Sequence, residues 1–301
     1  MSSAAALPQR APMVRASRAT ELSLVAMAVI WGVNFPVMKY GVTVLSPLVY
    51  NSLRMLLACA ILLAIAYARP SRRADRADRW RLIGLGVLGH CIYQILFVIG
   101  LSMTRAGTAS LVIAASPAAV GLVARFTTHE RLPLRAVAGI ALSISGVLLV
   151  LGGTITADGT RHLIGDLLIL VAVGVWAFYT TGLVPLTQRV GSADVAAWTL
   201  VGGVVPLTLI ASPQMLRTDW SAVPLLTWSA VLYSGILAMV VAYLVWYRGV
   251  REIGPTRTSL FGNLQPLVAV MMAWALLGEV PTMYQGVGAA AVIGGLYLAR
   301  R

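Results

Sequence analysis

The chain has 301 residues, of which 59% are hydrophobic and only 11% are charged. Soluble globular domains carry about 25% charged residues, so this composition excludes a soluble domain and indicates a protein of the lipid bilayer. The formal net charge of +13 would favour nucleic acid binding in a soluble protein. Here the arginines lie in short gaps between apolar runs, so we expect no nucleic acid partner.

The segment before the first apolar run carries basic residues and lacks the features of a cleaved leader. Residues 1–21 contain Arg10, Arg15 and Arg18, but no small-residue cleavage site closes a short apolar core. We therefore expect residues 1–21 to form a cytosolic N-terminal tail. Cys59 and Cys91 both lie inside apolar runs, so they predict helix packing and not a disulfide or a metal site.

Apolar runs separated by short Gly-, Pro-, Ser-, Asp- and Arg-rich gaps predict the membrane spans. A helix that crosses about 30 Å of hydrocarbon needs about 20 apolar residues. No gap is long enough to form a soluble domain. The sequence thus predicts an all-α polytopic membrane protein with ten transmembrane helices, at approximately 22–40, 48–68, 82–101, 108–126, 136–152, 163–186, 195–211, 225–247, 256–276 and 284–299.

The distribution of Lys and Arg predicts the orientation of these spans. If the N-terminus is cytosolic, the inner segments hold 18 of these residues and the outer segments hold four, with Arg54 inside the second span. Positive residues concentrate on the cytosolic side of membrane proteins. Both termini are therefore predicted to be cytosolic, in a bacterial-type inner (plasma) membrane.

The stretch from Gly100 to Gly146 occurs twice, at a shift of 149 positions and without a gap. The shift places Pro117 on Pro266 and Glu130 on Glu279. A repeat of this length indicates a duplicated half-protein, here 22–152 and 163–301, and not a solenoid. Five spans per half is an odd number, so the second half enters the membrane the opposite way up. The halves are then inverted repeats about an axis in the membrane plane, the basis of alternating access.

The first span carries Trp31-Gly32-x-Asn34-Phe35, the second carries Arg54, and each half has a proline followed thirteen residues later by glutamate. Together these features resemble the EamA family of the drug/metabolite transporter superfamily. The resemblance implies a ten-helix carrier of small metabolites without a cofactor. Within that family the sequence is similar to exporters of amino acids, especially aromatic ones. The second half departs from the pattern, because Trp176 is followed by Ala177 and Tyr179.

The resemblance implies an inner ring of helices one, three, four, six, eight and nine. An amino acid in that ring would need donors for its carboxylate, acceptors for its ammonium and an apolar wall for its side chain. No fixed charge is expected there, so binding should be weak. The predicted substrate-binding residues are Trp31, Asn34, His90, Tyr93, Gln94, Ser116, Trp176, Tyr179, Tyr243, Asn263 and Gln265.

Other residues are assigned structural or gating roles. Pro117 and Pro266 kink their helices and free carbonyls at mid-depth, either for packing or for gating. As a charge inside a span, Arg54 is a candidate functional residue. The second helix should pack outside the ring, however, so Arg54 is predicted to be an interhelical strut or to snorkel to the interface. Glu130 and Glu279 should cap the N-terminus of the helix that follows each of them.

Several function classes remain open or are disfavoured. The chain has no H-E-x-x-H, G-x-S-x-G or G-x-x-x-x-G-K-[ST] motif, so neither a membrane enzyme nor an ATP-driven pump is expected. No carboxylate is predicted at mid-membrane, and Asp166 begins the sixth span, which favours facilitated export over ion coupling. An exporter of other amphiphilic metabolites or drugs and a channel remain alternatives. We expect a monomer in the lipid bilayer.

The charge distribution makes a prediction about sidedness. Cysteines placed at Arg76 and Arg301 of a cysteine-free background should react with impermeant thiol reagents only from the cytosolic side. A cysteine at Thr160 should react only from the outside. Labelling of all three from the same face would contradict the inverted topology.

Overall fold

A computed structural model describes residues 18–68, 73–128, 134–157, 159–253, 258, 261–262 and 264–300. Within these ranges the chain is helical with short connections and contains no strand. Two of the helices, α3 and α8, contain π-helical segments, and α4 is broken in two. The helices are α1 (Arg18–Val44), α2 (Pro47–Ala68), α3 (Arg76–Gly86, π-helical Val87–Ile92, Tyr93–Met103), α4 (Ala106–Ile113 and Ser116–Thr128), α5 (Leu134–Ala157), α6 (Thr160–Thr187), α7 (Ser192–Leu216), α8 (Leu225–Leu232, π-helical Tyr233–Val241, Ala242–Ile253), α9 (Leu264–Leu277) and α10 (Met283–Arg300).

The length and composition of these helices confirm an all-α membrane protein. Eight of the described helices, α1 to α8, are long and apolar enough to cross a membrane. The described part of α9 is a shorter apolar helix of 14 residues, and α10 has 18 residues. The prediction of ten spans with both termini in the cytosol stays a prediction.

Local capping explains where some of the helices begin. The Asp75 carboxylate accepts a hydrogen bond from the Asp78 amide at 2.7 Å and caps the start of α3. At the start of α10, the Gln285 side chain accepts from the Thr282 amide while the Thr282 hydroxyl accepts from the Gln285 amide. This reciprocal pair is a capping box, which satisfies amides that have no partner inside the helix.

The packing of the helices repeats between the two halves. Helix α5 packs along α10, and α2 packs along α7. Helix α1 packs along α9, and α6 packs along α4. If α1–α5 correspond to α6–α10, the first two pairs map onto themselves and the last two exchange places. The described helices therefore pack with an approximate twofold symmetry.

Glycine contacts between α5 and α10 give the direction of the symmetry axis. A side chain on Gly146 would meet the Gly288 carbonyl oxygen at 2.7 Å, and one on Gly295 would collide with the Gly139 carbonyl. The 149-residue shift converts each of these contacts into the other. The two helices thus cross antiparallel, and the twofold axis runs perpendicular to them. Inverted repeats require this arrangement.

The π-helical segments are also related by the repeat. They end at Ile92 in α3 and at Val241 in α8, which are 149 positions apart. A π-helical turn loosens the regular hydrogen bonding of a helix and frequently marks a functional site. The α8 segment contributes Ala238 and Met239 to the central cavity described below, and the α3 segment ends directly before Tyr93 and Gln94, which also line it. The duplication has therefore preserved a local irregularity of the backbone beside the cavity.

The glycine contact predicts a matched pair of substitutions in α5. Gly146→Ala should destabilise the protein by about 1–3 kcal/mol, because the added methyl group meets backbone atoms of α10. Gly152→Ala in the same helix should have little effect, since nothing lies within 4 Å of the added atom. Thermal unfolding in detergent measures both variants. Equal unfolding temperatures would mean that the α5–α10 contact does not depend on glycine.

Candidate functional site

A central cavity of about 150 Å³ lies between α1, α2, α3, α4, α6, α8 and α9, with Gly262 just before α9 also in its wall. A single water needs roughly 10–15 Å³ by the same measure, so the space can accept a small organic molecule. The structure brings most of the predicted site residues to its wall. Those that line it are Trp31, Asn34, Tyr93, Gln94, Ser116, Trp176, Tyr243 and Gln265, together with the helix-kinking Pro117 and Pro266.

Two of the predicted residues that the structure describes do not line the cavity. His90 and Tyr179 are buried behind the wall, where the His90 Nε2 atom lies 3.2 Å from the Tyr179 hydroxyl. The Tyr179 hydroxyl also lies 3.0 Å from that of Tyr247. Asn263 lies outside the described residues. His90 and Tyr179 therefore support the wall and do not face the space that it encloses.

Residues related by the repeat line the same cavity in pairs. Trp31 and Trp176 are 145 positions apart, and five further pairs are 149 positions apart. Both members of every pair line the cavity, which places it on the approximate twofold axis. The five further pairs are Gln94 and Tyr243, Phe97 and Trp246, Ile113 and Gly262, Ser116 and Gln265, and Pro117 and Pro266.

Nine aromatic rings from four helices form a continuous row, in which His90 and Tyr179 lie behind the cavity wall and the other seven line it. Neighbouring ring centroids are separated by 5.0 to 5.8 Å, within the range of favourable ring contacts. The Trp31 indole N–H donates to the Ala238 carbonyl in the π-helical part of α8 at 2.9 Å, which fixes the position of this ring. In order, the rings belong to Trp246, Trp31, Tyr243, His90, Tyr179, Trp176, Tyr93, Phe97 and Phe35.

Arg54 lines this cavity, which corrects two sequence predictions. Its side chain is buried at 3% relative exposure, so it does not snorkel to the interface. Its Nε atom donates to the Asn51 side chain at 2.8 Å, and an Nη atom donates to the Gln94 side chain on α3 at 2.7 Å. Arg54 is thus an interhelical strut, but it also places a fixed positive charge in a site that was expected to have none. The sequence signal for this buried charge was the position of an arginine inside an apolar run.

A chain of polar contacts that the sequence did not reveal holds the Asn34 side chain. The Ser234 hydroxyl donates to the Asn34 side-chain oxygen at 2.7 Å, and the Tyr50 hydroxyl lies 2.7 Å from the Ser234 hydroxyl. The Asn34 amide nitrogen lies 3.1 Å from the Met38 sulfur. Because Ser234 and Tyr50 are buried in different helices, this chain connects α1, α2 and α8.

The break in α4 follows from Pro117. A proline lacks the amide that would bind the carbonyl four residues earlier, which is that of Ile113. The Ser116 hydroxyl donates to this carbonyl at 2.6 Å. The carbonyl was expected to be available to a ligand, and the structure shows instead that Ser116 occupies it. The helix resumes at Ser116 after the interruption at Ala114 and Ala115.

Glu279 caps a helix of the other half and not the one that follows it. Its carboxylate accepts hydrogen bonds from the Ala106 and Gly107 amides at 3.0 and 3.1 Å, at the start of α4. The prediction that it caps α10 is therefore wrong, and Thr282 fills that role. Its twin Glu130 lies outside the described residues. The sequence identified Glu279 as a helix-capping residue, but tertiary packing decides which helix it caps.

The end of α3 next to this cap is held by further charged groups. The Lys39 ammonium on α1 donates to the carbonyls of Leu101 and Ser102 at 2.9 and 3.1 Å, and also to that of Thr104. The Thr104 hydroxyl donates to the carboxylate of Asp166, which is buried in the first two turns of α6. Within the described ranges, no three His, Cys, Asp or Glu side chains converge into a metal site.

The chain matches the EamA-like transporter family over residues 18–152 and 163–301. It is 31% identical to a probable terminal-alkyne amino-acid exporter of Streptantibioticus cattleyicolor, over 93% of this chain and 92% of that protein. It is 27% identical to a probable amino-acid metabolite efflux pump of Salmonella typhimurium, over 90% and 91% of the two chains. An uncharacterized transporter of Bacillus subtilis is 28% identical, with 92% of each chain covered.

A solved crystal structure shares this fold. It covers 94% of this chain and 97% of its own length with a TM-score of 0.67, at 18% sequence identity. The same arrangement of helices therefore occurs in a protein of very different sequence. With the family match over both halves and the apolar helices of the structure, these findings show that the chain belongs to the EamA-like transporter family and is an integral multi-pass membrane transporter, not an enzyme.

Proposed function

We propose that this protein is a secondary transporter that exports amino acids, aromatic or otherwise hydrophobic, across the plasma membrane by alternating access through the central cavity. The observation that carries the proposal is that six pairs of repeat-related residues line the cavity. Carriers built from inverted repeats hold their substrates near mid-membrane where the repeats meet. A cavity on the twofold axis lies where the two repeats meet, which supports its role as the substrate site.

The symmetry supplies the physical basis for transport. When two halves have similar folds and opposite orientations, the arrangement that opens one side of the membrane resembles the one that opens the other. The two states then differ little in free energy, and the protein can exchange between them with or without substrate. In this proposal the break before Pro117 and the kink expected at Pro266 let parts of α4 and α9 move relative to their neighbours.

The wall of the cavity supports the substrate class. Flat rings such as those of Trp31, Trp176 and Tyr243 give a large apolar surface with defined geometry, which suits an aromatic or hydrophobic side chain. Gln94, Asn34 and Gln265 provide polar groups in the same space. Two of the relatives are named as exporters of amino acids or their metabolites, which agrees with this substrate class.

The proposal includes ten membrane spans with both termini in the cytosol, and a monomer as the transporting unit. It also includes facilitated export down a gradient. Among the described residues no carboxylate lines the cavity, so no acidic group is placed there to carry a proton or bind sodium. Asp166 and Glu279 are instead engaged by groups near the connection of α3 and α4.

The aromatic wall predicts the effect of a single substitution on transport. In proteoliposomes, internal phenylalanine should accelerate uptake of labelled phenylalanine, since a carrier exchanges substrate across the membrane. Trp176→Ala should weaken this counterflow at least tenfold, because a large buried aromatic contact is worth about 1.5–3 kcal/mol. Trp274→Ala is the matched control, because this tryptophan lies in α9 but is 59% exposed on the outside of the protein.

Two results would contradict the proposal. Uptake that does not respond to internal phenylalanine would indicate a channel or a different substrate. Wild-type counterflow by Trp176→Ala, at matched protein levels, would place the substrate elsewhere.

A further inference from the structure

Arg54 is a buried cation whose hydrogen-bond partners are neutral. Both acceptors, on Asn51 and Gln94, are side-chain amide oxygens, and they engage two of its five N–H groups. A guanidinium stays protonated under all ordinary conditions. Burying such a charge is costly unless an opposite charge compensates it. The remaining N–H groups can serve a ligand.

No carboxylate in the part of the chain that the structure describes compensates this charge. Asp78 pairs with Arg189, and Asp194 accepts from the Ala74 amide. Asp166 and Glu279 are bound near the connection of α3 and α4. The cavity wall around Arg54 is aromatic, aliphatic or neutral and polar. An anion that enters the cavity would therefore meet a single uncompensated positive charge in surroundings of low dielectric constant.

The matching position in the other half of the chain carries no charge. A side chain on Gly235 of α8 would meet the Arg54 carbonyl oxygen at 3.0 Å, and one on Gly86 of α3 would collide with the Thr199 carbonyl. Gly86 and Gly235 are 149 positions apart, so Thr199 of α7 occupies the position of Arg54 in the other half. The Thr199 hydroxyl donates to the Val195 carbonyl of its own helix at 2.7 Å. The corresponding helix contact in the other half thus forms without a charged side chain.

We propose that Arg54 binds the carboxylate of the transported molecule, and that the cavity recognises aromatic or hydrophobic monocarboxylates whether or not they carry an amino group. Arginine pairs with carboxylates through two parallel hydrogen bonds, which fixes both position and orientation. The described wall offers no acidic side chain to an ammonium group. This inference rests on the proposal that the cavity is the substrate site, and it narrows the substrate class to organic anions and zwitterions.

Three compounds that share a phenyl ring separate the contributions of the two charged groups. Phenylalanine carries both groups, 3-phenylpropionate only the carboxylate, and phenethylamine only the ammonium. Binding to the purified protein is measured as the ligand-dependent rise in unfolding temperature. We expect 3-phenylpropionate to bind at least as tightly as phenylalanine, and phenethylamine at least tenfold more weakly than either.

Substitution of Arg54 assigns the effect to this residue. Arg54→Gln should weaken the binding of both carboxylates at least tenfold without weakening that of phenethylamine. Arg54→Lys keeps the charge but loses the forked geometry, so it should bind carboxylates with intermediate affinity. Arg217→Gln, at an exposed position after α7, is the control for loss of one positive charge and should behave as the wild type.

The outcomes separate this inference from the proposed function. Equal or tighter binding of phenethylamine, or binding of none of the three compounds, overturns the inference with the wild-type protein alone. Unchanged carboxylate binding by a folded Arg54→Gln variant overturns it as well. Selective binding of the carboxylates without phenylalanine counterflow would support the anion site and contradict only the proposed transport of amino acids.

Discussion

The close antiparallel contact of α5 and α10 is the constraint on which the rest of the arrangement depends. The carbonyl of Gly288 faces Gly146 where a side chain would not fit, and the contact of Gly139 with Gly295 repeats it under exchange of the two halves. Backbones can approach this closely in a membrane only where side chains are absent. Exchange of the two halves turns this helix contact into itself, so the contact fixes a twofold axis perpendicular to the two helices. The aromatic cavity lies on the same axis.

The two halves have kept some residues around the cavity and have diverged at others. Trp31 and Trp176 have kept their identity and their place in the wall. Asn34 corresponds to Tyr179, and Arg54 to Thr199. In the proposed mechanism the shared residues maintain a scaffold that adopts two equivalent states. The divergent residues give the cavity one charged side. A substrate with a carboxylate and an apolar end would therefore have one preferred orientation in this site.

The sequence was sufficient for the features that depend on length and periodicity. Apolar runs and the 149-residue repeat predicted helices and a duplicated architecture, and the kink-forming prolines do line the cavity. It was insufficient where rotation about a helix axis decides the outcome. His90 faces Tyr179 behind the wall and not the cavity, whereas Arg54 on a helix expected to lie outside faces inward. Glu279 was identified as a cap, but only packing shows that it reaches α4.

The central claim is that substrate occupies the cavity on the twofold axis, and protection of a cysteine by substrate tests it most directly. Ser116→Cys would be made in a Cys59→Ala/Cys91→Ala background, because both native cysteines are buried and free. Reaction with membrane-permeant N-ethylmaleimide is timed with and without phenylalanine, with Ser221→Cys as an exposed control. The account predicts that phenylalanine slows modification at position 116 and leaves position 221 unchanged. Equal rates at position 116, at phenylalanine concentrations that saturate counterflow, would contradict it.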